Sequence, residues 1–192
     1  MSQTPNAPRA TPHSSPLTPH AKAIYLIRHP AVAVPPGICY GQSDVALAAL
    51  VDELAASLRA QLPADFRLLS SPLTRCRQLA EALGTPRFDA RLMEIDFGEW
   101  EMRAWDDIPR DLIDAWAADP MHFCGHGGES VAQMAARAIA ALKEALADPP
   151  RPVVIVGHAG PLRALAGHLQ GMRPQTWMQL GFATGSLTKL PL

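Results

Sequence analysis

The stretch "AIYLIRHPAVAVPPGICYGQSDVAL", residues 23–47, runs apolar as far as Ile27 and then turns abruptly to Arg28 and His29. A second stretch, "VVIVGHAGPLRALAG", residues 153–167, does the same and ends its apolar run in Gly157 and His158. Residues 24–27 and 153–156 are continuous and rich in β-branched side chains, without polar alternation. That is the pattern of strands covered on both faces in a parallel sheet. "RLLS", residues 67–70, is a further inner strand, and residues 184–190 form a last strand at an edge.

Between these runs the apolar period becomes helical. Leu47, Leu50, Val51, Leu54, Leu58 and Leu62 share one stripe, as do Val131, Met134, Ala135, Ala138, Leu142 and Leu146. Ser71-Pro72 supplies an N-cap and a first-turn proline for a helix ending before Gly84. Ser130 and Gln133 form a capping box, and Gly160-Pro161 opens a helix through Leu169. Strands alternating with helices predict a three-layer α/β/α sandwich around a mostly parallel sheet with an antiparallel edge strand.

At 192 residues and 48% hydrophobic, the chain suits one packed domain. Residues 1–20, "MSQTPNAPRATPHSSPLTPH", have almost nothing to bury and read as a disordered tail, with His13 and His20 solvated. The domain is then residues 21–192. A net charge of -1 and a pI near 6.6 give no field for gathering nucleic acid or an anionic membrane. Cys39, Cys76 and Cys124 form no disulfide framework and fit a reducing compartment. With no signal peptide or membrane span visible, the expected location is the cytoplasm.

In open α/β sheets, ligands gather beyond the carboxyl ends of the strands. Arg28-His29, Arg75 in "SSPLTRCRQLA" and His158 all follow inner strands. Two imidazoles and two guanidinium groups beside helix N-termini describe a pocket for phosphate. An imidazole nitrogen attacks phosphorus, two arginines hold the equatorial oxygens, and an acid protonates the leaving alcohol. "RLMEIDFGEWE", residues 91–101, supplies Glu94, Asp96, Glu99 and Glu101. Glu94 follows the apolar pair Leu92-Met93, where desolvation would keep it protonated, so it is the expected donor; capping a helix or pairing with Arg91 are its other uses.

The motifs "LIRHP", "SSPLTRCRQLA", "LMEIDFGEWE", "GGES" and "VGHAGPLRAL" together resemble the histidine phosphatase superfamily, also called phosphoglycerate mutase-like, across residues 23–190. The resemblance implies the phosphoglycerate mutase-like fold, His29 as phosphorylated nucleophile, Arg28, Arg75 and His158 as phosphoryl ligands, Glu94 as proton donor, and no metal or cofactor. Three positions depart from the family pattern. Its usual glycine after the nucleophile is Pro30 here, its frequent loop asparagine is absent from "AVAVPPGICYGQSD", and the glycine of its "WEG" motif is Met102.

Within the superfamily, "RHP", "GICYGQSDVAL" and "WDDIPRDLIDAWAADP" most resemble α-ribazole phosphatases, which implies a small phosphate ester from cobalamin assembly as partner. Tyr40, Trp100, Trp105 and Phe123 would then face a benzimidazole ring or else form loop core, and Gln42 would reach the phosphate or solvent. A phosphoglycerate mutase, a broad sugar or nucleotide phosphatase, and a non-catalytic phospho-ligand sensor are the alternatives. The mutase is disfavoured by the shortness of the chain, the sensor by the presence of every reacting residue. "HFCGH", with His122, Cys124 and His126, has poor spacing for a closed zinc site. Homo-oligomerisation is left open.

Overall fold

The computed structural model describes residues 23–147 and 151–192. The expected tail at residues 1–20, with His13 and His20, lies outside the described residues. Elements follow in the order β1 (Ala23–Arg28), α1 (Asp52–Arg59), β2 (Arg67–Ser70), α2 (Thr74–Leu83), β3 (Arg87–Phe88), α3 (Arg110–Ala118), α4 (Val131–Ala147), β4 (Val153–Gly157), α5 (Ala159–Leu169) and β5 (Leu187–Pro191). Short 3-10 turns punctuate the stretch between β3 and α3. None of the helices among the described residues is long and apolar enough to cross a membrane.

The sheet has the order β3-β2-β4-β1-β5. Pairing is parallel throughout except at β5, which runs antiparallel to β1. Alternate side chains of the inner strands serve opposite layers. Ile24, Leu26, Leu69, Val153 and Ile155 pack with α4 and α5, while Tyr25, Ile27, Leu68, Val154 and Val156 pack with α1 and α2. Both faces are buried, which is why these runs carry no polar alternation. The result is the expected three-layer α/β/α sandwich with an antiparallel edge strand.

Register decides the site. Arg28 pairs with Gly157, and the His29 amide donates to the Gly157 carbonyl at 3.0 Å. The residues following β1 and β4 therefore emerge side by side at the carboxyl edge. β2 lies on the other flank of β4, where the Ser71 amide donates to Val156 at 3.1 Å.

Two helix expectations change. The stripe from Leu47 to Leu62 is helical only over Asp52–Arg59, and Leu50 is 90% exposed. Backbone hydrogen bonds tie residues 46 and 48 to Ala33 and Ala31, so tertiary pairing overrides the helical period there. The helix after Ser71-Pro72 begins at Thr74, and its cap is the distant Asp44, whose carboxylate accepts from the Thr74 amide and hydroxyl, each at 2.7 Å. The capping box of α4 forms as expected: Ser130 donates its amide to Gln133 Oε1 and its hydroxyl accepts the Gln133 amide.

Candidate active site

His29 is 2% exposed. Its Nδ1 lies 2.7 Å from the Pro30 carbonyl, which can only accept, so Nδ1 carries the proton. Burial, with Arg75 and Arg28 nearby, brings its pKa down to about 4 against the hydrogen bond to Pro30. The ring is thus neutral near pH 7 with its lone pair on Nε2, the atom a nucleophile needs. Pro30 offers no N–H, but the bond that orients the nucleophile uses its carbonyl.

The His158 ring centroid stands 5.2 Å from that of His29, close enough for both to touch one tetrahedral anion. Arg75 Nε donates to His158 Nδ1 at 3.2 Å, which leaves the proton on Nε2, donated to Ser71 Oγ at 2.8 Å. Burial first, then Arg75, holds His158 well below the ordinary imidazole range. The Cys76 thiol packs 3.4 Å from Nε2, and burial pushes its own pKa up, so it is neutral filling beside the ring.

Arg75 is wholly buried at the start of α2 and donates to the carbonyls of Ser43 at 2.8 Å and Gly41 at 2.5 Å, with Tyr40 stacked over its guanidinium. Arg28 Nη1 donates to the Phe182 carbonyl at 2.6 Å, while its buried Nε has no partner. Neither arginine makes a direct ion pair with a carboxylate among the described residues, and the acidic group whose charge they feel is Glu94. Buried cations cost several kcal/mol each unless compensated, so this arrangement favours an anion.

At the start of α5, Glu94 accepts from the Gly160 amide at 3.2 Å and the Ile95 amide at 3.0 Å. Burial raises its pKa despite those bonds and the nearby arginines. Its carboxyl does sit at a helix start, that of α5, the second use weighed for it; it does not pair with Arg91, which binds Asp89 and Glu144. A carboxyl held toward its neutral form next to an anion pocket can donate a proton to an ester oxygen.

The partners of several residues that shape the site, Gln42 and Glu101 among those the sequence singles out, are visible only in the structure. Arg137 on α4 donates to the carbonyls of Arg91, Met93 and Glu94 at 2.9, 2.6 and 2.8 Å, and pairs with Glu129 at 2.6 Å. Glu129 in turn accepts from the Asp96 amide. Gln42 donates to the Glu94 carbonyl at 3.1 Å, so its amide nitrogen braces the acid's backbone. Glu101 accepts from the amides of Gly41, Gln42, Ser43 and Phe97 and from the Ser43 hydroxyl. Burial pushes the Glu101 pKa up, but those bonds outweigh it and hold the carboxyl below its usual range. Gly41 is needed here because a Cβ would meet the Ile95 carbonyl at 2.0 Å. The absence of side-chain bulk is visible in the sequence; the partners are not.

Trp100 is buried, and it clusters with Trp105, Trp116 and Phe123 as loop core. The three side chains of "HFCGH" diverge: His122 meets Asp119, Cys124 meets Gln133, and His126 is buried against Trp100. Among the described residues there is no group of three or more His, Cys, Asp or Glu that could hold a metal ion.

The family model for the histidine phosphatase superfamily (branch 1) matches residues 24–192, and the chain belongs to that superfamily. It is similar to glucosyl-3-phosphoglycerate phosphatase of Mycobacterium tuberculosis, 33% identical over 131 residues, which are 59% of this chain and 58% of that protein. The match thus spans somewhat over half of the relative's length. The native structure of mycobacterial glucosyl-3-phosphoglycerate phosphatase is similar with a TM-score of 0.77 and 28% identity, covering 88% of this chain and 89% of that one. The α-ribazole phosphatase of Shigella flexneri is similar with a TM-score of 0.76 and 28% identity, covering 87% and 89%.

Proposed function

We propose that this chain hydrolyses phosphate monoesters through a phosphohistidine on His29, and that residues 21–192 are its catalytic domain. The observation that carries the reading is a neutral His29, its proton fixed on Nδ1 by Pro30, standing against His158 with Arg28 and Arg75 at the same sheet edge. In the first step Nε2 forms a bond to phosphorus as the ester P–O bond breaks, and the Glu94 proton passes to the leaving oxygen. Water then attacks phosphorus, its proton returns to the Glu94 carboxylate, and the N–P bond breaks to release inorganic phosphate. Arg28 and Arg75 stabilise the charge on the equatorial oxygens in both steps, joined by His158 once its Nε2–H turns from Ser71 to the phosphoryl group.

The alcohol half of the substrate has two readings. The loop sequences after β1 and before α3, together with the likeness to the Shigella enzyme, support α-ribazole 5′-phosphate. The likeness to the mycobacterial enzymes supports a phosphoglycerate-type ester instead. A mutase would return the phosphoryl group to a second hydroxyl, whereas a hydrolase passes it to water.

The test is brief mixing with ³²P-labelled substrate and acid or alkali treatment of the protein. An alkali-stable, acid-labile label that vanishes in His29→Ala, with release of inorganic phosphate, is the expected result. Full turnover by His29→Ala overturns the mechanism. A panel of α-ribazole 5′-phosphate, 3-phosphoglycerate, sugar phosphates and nucleotides then ranks the substrates.

A further inference from the structure

A guanidinium has five N–H donors, and Arg75 uses three of them inside the protein: Nε on His158 Nδ1, Nη1 on the Ser43 carbonyl and Nη2 on the Gly41 carbonyl. The two that remain, one on each Nη, are what its fork can offer to phosphoryl oxygens. The aim of that fork is set by where residues 41 and 43 hold their carbonyls. Neither residue lies in a helix or strand, so something outside the loop must fix them.

That group is the Glu101 carboxylate. The successive amides of Gly41, Gln42 and Ser43 converge on it at 2.9, 2.9 and 3.0 Å, and the Ser43 hydroxyl joins them at 2.6 Å. Consecutive N–H groups gathered in this way form a concavity for an anion, filled here by the protein's own side chain. The Phe97 amide holds the carboxylate from another segment at 3.0 Å. Against the upward push of burial, these bonds keep Glu101 below the usual carboxylate range, so it is charged near pH 7.

One peptide unit is gripped at both ends. The Gln42 N–H donates to Glu101 Oε1, and the Gly41 carbonyl of the same unit accepts from Arg75 Nη2. Anion, peptide dipole and buried cation thus form one hydrogen-bonded chain, in which each bond polarises the next. Arg75 Nε extends the chain to His158, whose Nδ1 accepts and whose proton is thereby left on Nε2. Gly41 gives the carboxylate room, since a Cβ there would meet Glu101 Oε1 at 2.6 Å.

We propose that Glu101 is a positioning residue for the phosphoryl pocket: through the loop of residues 41–43 it aims the Arg75 fork, and through Arg75 it fixes the tautomer of His158. This rests on the phosphatase reading above and deepens it. The role concerns the phosphoryl oxygens and is indifferent to the leaving group, unlike that of Glu94.

The experiment is a double-mutant cycle in the full chain, Glu101→Gln against Arg75→Met, read as kcat/KM on nitrophenyl phosphate and on an alkyl phosphate, with inorganic phosphate as competitive inhibitor. Glutamine keeps the shape but removes the charge and turns an NH2 group toward amide donors. Glu101→Gln should lower kcat/KM about tenfold to a hundredfold, by the same factor on both esters, and weaken inhibition by phosphate about tenfold. In the Arg75→Met background the same substitution should cost about twofold or less, because the group it aims is gone. Glu101→Asp, which keeps the charge, should recover part of the loss. Additive losses in the cycle, or a loss concentrated on the alkyl ester, overturn the proposal. If Glu101→Gln does not fold, Glu101→Asp carried through the same cycle decides by the same criteria. Additive losses with His29-dependent turnover intact remove the role of Glu101 alone; turnover that survives His29→Ala removes the phosphatase mechanism beneath it.

Discussion

Arg137 Nη2 donates to the Glu94 carbonyl at 2.8 Å, so the backbone of the candidate acid is placed by a cation on α4. The same guanidinium grips Arg91 and Met93 and is itself held by Glu129. Glu94 needs this brace because it lies in a stretch built of short 3-10 turns and loops, with no helix or strand of its own to fix it.

Removing the brace should therefore harm proton donation more than phosphate binding. Arg137→Met is expected to lower kcat on alkyl phosphates about tenfold to a hundredfold, with a smaller loss on nitrophenyl phosphate, whose leaving anion needs little protonation. KM should move less than kcat, and the alkaline limb of the rate profile should shift. Denaturant unfolding should also show a loss of about 2 kcal/mol, because Glu129 and three carbonyls lose their partner. Equal losses on both substrate types count against a positioning role.

The pH profile follows from two opposed shifts. The acid limb of kcat/KM should fall near pH 4, where His29 takes up a proton and loses its lone pair. The alkaline limb belongs to Glu94 and should lie above the ordinary carboxyl value of 4.5. Its sign in stability is the reverse of a salt-bridged carboxylate. A raised folded pKa means the native state keeps a proton that the unfolded chain has released, so Glu94 contributes less stability as pH rises above 4.5. The melting temperature of Glu94→Gln should accordingly gain on the wild type between pH 5 and 8, and the variant should lose the alkaline limb of activity. Parallel melting curves for the two proteins across that window contradict the assignment.

Gly160 tests the same carboxyl by steric means. A Cβ at this position would meet Glu94 Oε1 at 2.2 Å. Gly160→Ala should push the acid away and cut kcat on alkyl phosphates at least tenfold, while alanine's better helix propensity offsets part of any stability loss. Unchanged kinetics would place the working acid elsewhere.

Met102 stands at φ 61, in the left-handed region, where the family's "WEG" motif carries glycine. Its amide donates to the Cys39 carbonyl at 2.7 Å, so the conformation is held by the fold. The side chain is 51% exposed, with little packing to lose. Met102→Gly should stabilise the protein by about 1 kcal/mol, read as a rise in the unfolding midpoint at unchanged slope.

Much of this architecture is legible in the sequence because the inner strands need nothing but their own apolar residues to be seen. The two histidines and two arginines follow from where those strands stop, and the Ser130–Gln133 box is local. What sequence reading misses is held by distant partners. Asp44 caps α2 from across the first loop, Glu101 gathers four amides of which three lie on that same loop, and Arg137 reaches three carbonyls around Glu94. Each is an ordinary charged residue in its own neighbourhood, and its role exists only once the layers close. The overlong α1 stripe fails for the same reason: residues 46 and 48 bond to the loop after His29 before they can join a helix.

β4 enters the sheet between β2 and β1, although both of those strands precede it in the chain by a wide margin. Ribosomal synthesis therefore exposes two sticky apolar edges long before the segment that seals them is made, and contact order this high slows the search for the native arrangement. Catalytic competence should arise in one late event, when β4 slots home between β2 and β1 and delivers His158.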